Sequence, residues 1–159
     1  ELKGLSATLK VAGLADKYSL EKVEEHNKAS ANKLEYLGFI SADDVNELYQ
    51  WADFGLCLLD TDVLNYRYAY PIKVLEYMGA GVLCLATRTA GSESMIENNV
   101  DGLVFDDNKD CGKELAIALA TIDTESWRSM TSKARDSLSR YDIDSHQEEL
   151  LNIAKRVVA

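Results

Sequence analysis

At 159 residues, with 47% hydrophobic and 28% charged side chains, the chain has the size and composition of one globular domain with its own core, and not of a disordered segment. Twenty-seven acidic against 17 basic residues give a net charge of −10, which repels a phosphate backbone or an anionic membrane surface and so argues against nucleic acid as a partner. No apolar run approaches the roughly 20 residues of a membrane span, the first residues lack the pattern of a signal peptide, and Cys57, Cys84 and Cys111 fit free thiols in a reducing cytoplasm.

Glu1 to Ser6 reads as the tail of something preceding it, and the absence of a starting Met suits an excised or processed piece. Thr8 to Ala12 (TLKVA) alternates as a strand and stops at Gly13, after which Ser19 is expected to cap a charged helix from Leu20 to about Lys28. Leu34 to Phe39 (LEYLGF) is the second predicted strand. Ser41 with Asp44 three residues on has the form of a capping box, and Val45, Leu48, Tyr49 and Ala52 follow at helical spacing. Phe54 to Leu59 (FGLCLL) is continuously apolar, as in a strand covered on both faces, and Asp60 ends it.

The stretch from Tyr66 to Ala86 organises the rest. Pro71 is the only proline, and its fixed φ and missing N–H suit the first residue of a helix. Gly79 and Gly81 are expected to end that helix in the left-handed conformation, before a buried strand Val82 to Ala86. Beyond it come a polar loop Thr87 to Gly91, a short helix around Glu93 to Asn98, a turn at Asn99 to Gly102 and a brief strand Leu103 to Phe105. Only helices follow: one stripe of Leu115, Ala118, Leu119 and Ile122, a second of Trp127, Met130, Ala134 and Leu138, and a last helix from Ile143 to Val158. Asp106, Asp107 and Asp110 are expected to cap the first of these and favour its dipole. Strands alternating with helices predict an α/β fold with a parallel sheet of about five or six strands, helices on both faces and further helices at the carboxyl end. With no repeat or linker, residues 1–159 read as one domain.

Ligands of parallel α/β sheets gather beyond the carboxyl ends of the strands, which directs attention to the loops after Phe39, Leu59 and Ala86. Between Lys33 and Arg88 the only basic residues are Arg67 and Lys73, flanking the amino terminus of the Pro71 helix, where free N–H groups and the dipole favour an anion such as phosphate. Glu76, one turn inward, can accept hydrogen bonds from vicinal hydroxyls of the kind a ribose carries. Tyr66, Tyr68, Tyr70 and Tyr77 place half of the tyrosines here, and aromatic rings with hydroxyl tips suit a sugar or a base. The competing interpretation is a surface Lys73–Glu76 pair worth under ~1 kcal/mol beside tyrosines that edge the core. His26 and His146 stand apart from any metal-ligand spacing, Gly79-Ala80-Gly81 follows a helix where a dinucleotide loop would open one, and the surroundings of Ser92 lack a nucleophile elbow.

The run YAYPIKVLEYMGAGVLCLATRTAGSESMIENNVDGLVF resembles the carboxyl-terminal, donor-binding domain of GT-B glycosyltransferases, in particular family 4. The similarity rests on Pro71, Lys73, Glu76, Tyr77 and Met78, on the Tyr36-Leu37-Gly38 step, Ala52-Asp53 at a strand entry, Gly91 in its loop and the Asp101-Gly102-Leu103 turn, and it runs from about Thr8 to the last helix. It implies a Rossmann-like fold and the donor half of a retaining glycosyltransferase, moving a sugar from an NDP-sugar of UDP or GDP type to a glycan or lipid-linked acceptor. Neither a cofactor nor a metal is implied. By position, Glu76 corresponds to the glutamate on the donor ribose, the amides of Ala69 and Tyr70 to those meeting the sugar, the amides of Ile72 and Lys73 to those meeting the diphosphate, and the backbone near Phe39 and Ile40 to the part that reads the base. Tyr66 and Tyr68 join this donor-binding set, and no residue is assigned as catalytic. Two departures stand out: Tyr68 occupies the position of a second glutamate eight residues before Glu76, and the family's first strand, glycine loop and acceptor domain have no counterpart before Glu1. The resemblance therefore implies half of a cytoplasmic enzyme of polysaccharide biosynthesis, peripheral at the inner membrane in its full form, with this half alone binding a donor but transferring nothing. Two other classes compete. One is a non-catalytic nucleotide-binding or partner subunit. The other is a phospho-receiver module with Asp60 after its third strand, although Ala12-Gly13-Leu14-Ala15 lacks the acidic pair that would hold Mg²⁺.

Overall fold

A computed structural model describes residues 7–30, 33–107 and 110–142, together with 147, 151 and 153–156. The chain forms two compact units, Glu1–Trp51 and Ala52–Ala159. Most of the helix expected from Ile143 to Val158, together with His146, lies outside the described residues.

In the first unit β1 (Thr8–Ala12), α1 (Lys17–Ala29), β2 (Lys33–Gly38) and α2 (Ala42–Trp51) follow one another, and β1 and β2 pair in parallel from Thr8↔Lys33 to Ala12↔Gly38 with a bulge between Val11 and Ala12. The α1 helix starts earlier than the sequence suggests. Its N-cap is Asp16, whose carboxylate accepts from the Ser19 N–H at 2.7 Å, so Ser19 is the capped residue and not the cap. That bond from the Ser19 amide, with a further one from its hydroxyl, holds the Asp16 carboxyl below the ordinary carboxylate range. At α2 the expected box closes: the Asp44 N–H donates to Ser41 Oγ at 3.2 Å and the Ser41 N–H to Asp44 Oδ2 at 3.1 Å. Asn27 carries the contact between α1 and β2, its amide bonding both the N–H and the carbonyl of Leu34 at 2.9 and 2.7 Å.

The second unit holds the core. β3 (Phe54–Cys57), β4 (Leu83–Thr87) and β5 (Leu103–Phe105) form a parallel sheet in the order β3-β4-β5, registered at Phe54↔Leu83 and Leu85↔Leu103. All five residues of β4 are buried, as the apolar run Leu83 to Ala86 requires of a central strand, with Thr87 closing it. Two short helices, α3 (Leu64–Arg67) and α5 (Ala90–Met95), and two longer ones, α4 (Ile72–Ala80) and α6 (Cys111–Thr121), alternate with the strands, and α7 (Thr124–Ser137) runs into a 3-10 turn at Leu138–Tyr141. Val74 and Met78 of α4, Met95 of α5 and Ala134 of α7 pack with Cys57, Cys84 and Ala86 in one apolar cluster. Parallel strands flanked by helices match the expected class; among the described residues five strands are divided between two sheets.

Gly81 ends α4 at φ +76°, and the Arg135 guanidinium, which donates to the Ala80 carbonyl at 3.2 Å, occupies the space a side chain there would need. Gly79, by contrast, stays inside the helix. The turn after α5 is built on Asp101, only 2% exposed, whose carboxylate accepts from the Glu97 N–H at 2.7 Å, Ser137 Oγ at 2.8 Å and Arg140 Nη2 at 3.3 Å. The Asp cluster before α6 serves other ends than capping. Asp106 pairs with Arg88, Asp107 accepts from Thr61, and Asp110 stands at the N-cap position without a side-chain cap bond.

Candidate functional site

Beyond the carboxyl ends of β3, β4 and β5 the chain is tied down in a series of short steps. Backbone pairing of β3 with β4 ends at Cys57↔Ala86, and the Thr87 hydroxyl takes over, accepting from the Leu59 N–H at 2.8 Å and donating to the Leu59 carbonyl at 3.0 Å. Asp60 accepts from the Asp62 N–H at 2.9 Å, closing an Asx turn, so the carboxylate that a receiver module would present is engaged in its own loop. Next to it the Thr61 N–H and hydroxyl both donate to Asp107 Oδ2, at 2.6 and 3.0 Å. Arg67, expected to face an anion, instead points two N–H groups at the Thr61 carbonyl, at 3.2 and 2.9 Å. Its guanidinium braces the loop, because a planar fork of donors next to an open carbonyl is satisfied locally.

From this braced segment the chain enters α4. Tyr66, Tyr68, Tyr70 and Ile72 are all exposed, Tyr68 by 70%. Pro71 is the N-cap residue (φ −79°, ψ 95°) and its carbonyl accepts from the Val74 N–H at 2.9 Å; the first helical residue is Ile72, one later than expected. The Ala69 amide, assigned by resemblance to a donor sugar, donates to the Tyr66 carbonyl at 3.2 Å. It is spent within the loop, since the tight turn following α3 brings that carbonyl over it. Burial first, then the neighbouring phenol of Tyr70, raises the Tyr141 pKa above its usual value. Glu76 lies 2.6 Å from Lys73 through its Oε2, with side-chain exposures of 38 and 57%, so the surface pair of the competing interpretation does form. Tyr77 belongs to the core. Its ring lies against Gly55, where a Cβ would come within 2.6 Å of it, and its hydroxyl donates to the Leu56 carbonyl at 3.2 Å.

The segment 66–70, with its exposed tyrosines, thus leads into a first helical turn that carries the amide of Ile72 and the Lys73–Glu76 pair, and the two together form a ledge. An exposed pair of this kind is worth under ~1 kcal/mol, so it can be exchanged for a ligand at little cost. A freed Lys73 ammonium can meet an anion, and a freed Glu76 carboxylate can accept hydrogen bonds from hydroxyls. Arg88, just past β4, pairs with Asp106 and Glu93 and is kept firmly protonated by both. Among the described residues no three His, Cys, Asp or Glu side chains converge as a metal site. In the first unit, Phe39 and Ile40 follow the end of β2, with Phe39 81% exposed. Among the described residues no helix is long and apolar enough to cross a membrane. Three parts of the ledge have no signal in the sequence: the Thr87 bridge, the Asp107 acceptor and Tyr141 come from distant positions and are ordinary residues at them.

Residues 2–123 match the family described as Glycosyl transferases group 1. YtcC of Bacillus subtilis (strain 168), whose name places it with the glycosyltransferases, is 31% identical over 117 residues, which are 72% of this chain and 27% of that protein. A GDP-Man:Man(3)GlcNAc(2)-PP-Dol alpha-1,2-mannosyltransferase of Dictyostelium discoideum is 25% identical over 154 residues, 93% of this chain and 29% of that protein. The chain therefore spans under a third of the length of these curated relatives. In fold it is similar to Anabaena Alr3699/HepE, solved in complex with UDP-glucose, at a TM-score of 0.71 and 18% identity over 94% of this chain and 41% of that one. It is likewise similar to the C-terminal domain of a glycosyl transferase group 1 family protein (LpcC) from Francisella tularensis, at a TM-score of 0.65 and 12% identity over 87% of each chain. The parallel α/β fold, the α4 helix behind Pro71 and the match over residues 2–123 agree, and the chain belongs to the glycosyl transferases group 1 family.

Proposed function

We propose that this chain is the donor-binding domain of a GT-B glycosyltransferase of family 4 and that the ledge leading into α4 receives a nucleotide-sugar of UDP or GDP type. The observation that carries this reading is the juxtaposition of Lys73 and Glu76 on the first turn of α4, behind a loop of exposed tyrosines, in a chain that belongs to the family. Glu76 accepts the ribose hydroxyls, having exchanged its lysine for them. The Ile72 and Lys73 amides and the Lys73 ammonium take the diphosphate, and the Tyr70 amide meets the sugar. Ala69 joins it only when its turn bond to Tyr66 opens. As the glycosidic bond breaks, charge accumulates on the departing diphosphate, and a fixed helix end with a neighbouring cation stabilises it without a required metal ion. Transfer with retention onto a glycan or lipid-linked acceptor, in polysaccharide biosynthesis on the cytoplasmic side of a membrane, follows from the family resemblance.

The test is calorimetric titration of the chain with UDP and with GDP. One of them binds the wild type, and Glu76→Ala weakens it by roughly 10- to 100-fold, the size of a lost hydrogen bond to a charged group. Failure of both nucleotides to bind, or equal affinity in the variant, overturns the reading.

A further inference from the structure

The loop that aims these amides is itself held by a residue with no side chain. A Cβ at Gly91, in the first turn of α5, would overlap the carbonyl oxygen of Ala69 and lie 2.9 Å from Pro71 Cδ. No real side chain keeps such distances, and the nearest obstacle is backbone, which cannot swing aside. We propose that Gly91 is a positioning residue for the donor loop: a bare Cα at this point lets residues 68–71 lie directly against α5, and the track so imposed sets where the amides of Tyr70, Ile72 and Lys73 point. This rests on the donor-site reading above.

The surface the loop lies on is rigid. α5 opens with a buried capping box, in which the Ser92 N–H donates to Thr89 Oγ1 at 3.1 Å and the Thr89 N–H to Ser92 Oγ at 2.9 Å. The Ser92 hydroxyl also donates to the Thr87 carbonyl at 2.8 Å, fastening the turn to the end of β4. Ser94 Oγ donates to the Gly91 carbonyl at 2.7 Å, leaving the glycine's peptide little freedom to rotate. A second hold comes from the far side. The Tyr141 hydroxyl donates to the Ser94 carbonyl at 3.3 Å and is close enough to the Tyr70 phenol to interact with it, so one aromatic ring stands between α5 and the loop at the carboxyl-terminal 3-10 turn. Gly91 thus sets how closely the loop approaches, and Tyr141 restrains it sideways.

A residue that works through position moves ligand affinity out of proportion to stability, and a matched control separates the two. Gly102→Ala serves as that control: its Cβ would come within 2.9 Å of Ile96 Cγ2 and 3.2 Å of the Cys84 carbonyl, crowding the core elsewhere in the same unit. In UDP and GDP titrations at 25 °C, with melting temperatures recorded alongside, Gly91→Ala weakens binding roughly tenfold or more, because displacement of about an ångström suffices for such a loss. Gly102→Ala lowers the melting temperature and leaves affinity within about twofold of the wild type. Tyr141→Phe, which adds no bulk, weakens binding about threefold. Equal affinity in Gly91→Ala, or a loss in Gly102→Ala that matches it, overturns the proposal. If Gly91→Ala fails to fold while Gly102→Ala folds, Gly91 is required for the fold itself, and the positioning proposal is overturned. If the wild type binds neither nucleotide, the donor reading falls while the positioning claim is still read in the ligand-free amide spectrum: shifted resonances for residues 69, 70, 72 and 73 in Gly91→Ala but not in Gly102→Ala uphold it, and unshifted ones overturn it.

Discussion

The two units reach order by different means. In Ala52–Ala159 the side chains of Val74, Met78, Leu83, Leu85 and Met95 are completely or almost completely withdrawn from water. No described residue of Glu1–Trp51 is buried, and Leu9, Val11 and Leu37 on its two strands remain exposed. What defines that unit is polar. Asn27 binds both backbone groups of Leu34, the Tyr36 hydroxyl donates to the Gly13 carbonyl at 2.7 Å, and Lys10 lies 4.0 Å above the Trp51 ring and 3.8 Å from Glu35, its partner across the sheet. The same alternation of strand and helix can thus be stabilised by removal of apolar surface or by a mesh of directional bonds. The first scales with area and dominates; the second sets geometry while contributing about 1 kcal/mol per bond.

The largest expected effect tests the apolar side of that contrast. Met78→Ala removes a fully buried side chain from the centre of the second unit and lowers unfolding stability by about 3 kcal/mol, whereas Val11→Ala on the exposed β1 costs under ~1 kcal/mol, both read by urea denaturation. Equal losses would mean that β1 is as deeply packed as α4. A smaller effect sharpens the polar side. Asn27→Ala leaves the Leu34 N–H and carbonyl without their partners and costs about 1–2 kcal/mol, more than truncating the larger apolar Val11, with the loss showing as faster amide exchange along β2.

The smallest effect concerns access to the core. Burial raises the pKa of Cys57 and Cys84, so little thiolate forms at neutral pH and little reagent reaches it; Cys111, whose pKa burial and then Asp107 also raise, is only half-buried, so reagent reaches it. Iodoacetamide at pH 8 is therefore expected to label Cys111 in the native chain and all three thiols in guanidinium, as read by peptide mass spectrometry. Exposed capping carboxylates add a pH dependence common to both units. Asp16, Asp44 and Asp123 have lowered pKa values, through the backbone amide of Ser19, the hydroxyl of Ser41 and the backbone amide of Ser126 respectively. What they contribute is therefore present above the ordinary aspartate pKa and is lost as the pH falls through their lowered values.

Periodic features were legible before any coordinates. Continuous apolar runs marked β3 and β4, the Ser41–Asp44 pair marked the start of α2, and Pro71 with Gly81 bracketed α4, because each depends on residues within one or two turns of one another. Boundaries moved where a stronger local acceptor was present, as at Asp16, or where the proline's ψ of 95° held it outside the helix it introduces. The position of Glu76 beside Lys73 was equally readable from their spacing. What no spacing conveys is which partner a group selects across the fold. Arg67 turned to Thr61, Asp107 to the same residue, and Gly91 to the carbonyl of Ala69, each across a separation that only the folded chain closes.

The Thr87 hydroxyl bonds Leu59 twice. By receiving from one backbone group of Leu59 and giving to the other, it forms a last rung of the β3–β4 ladder from a side chain, after the main-chain rungs have run out. A main-chain rung is lost by mutation only through proline, which also fixes φ, whereas this one goes with a side chain: valine has nearly the same shape and neither proton nor lone pair. The point at which the long loop departs from the sheet is therefore under the control of a single hydroxyl, and evolution can loosen or stiffen that departure without altering a strand.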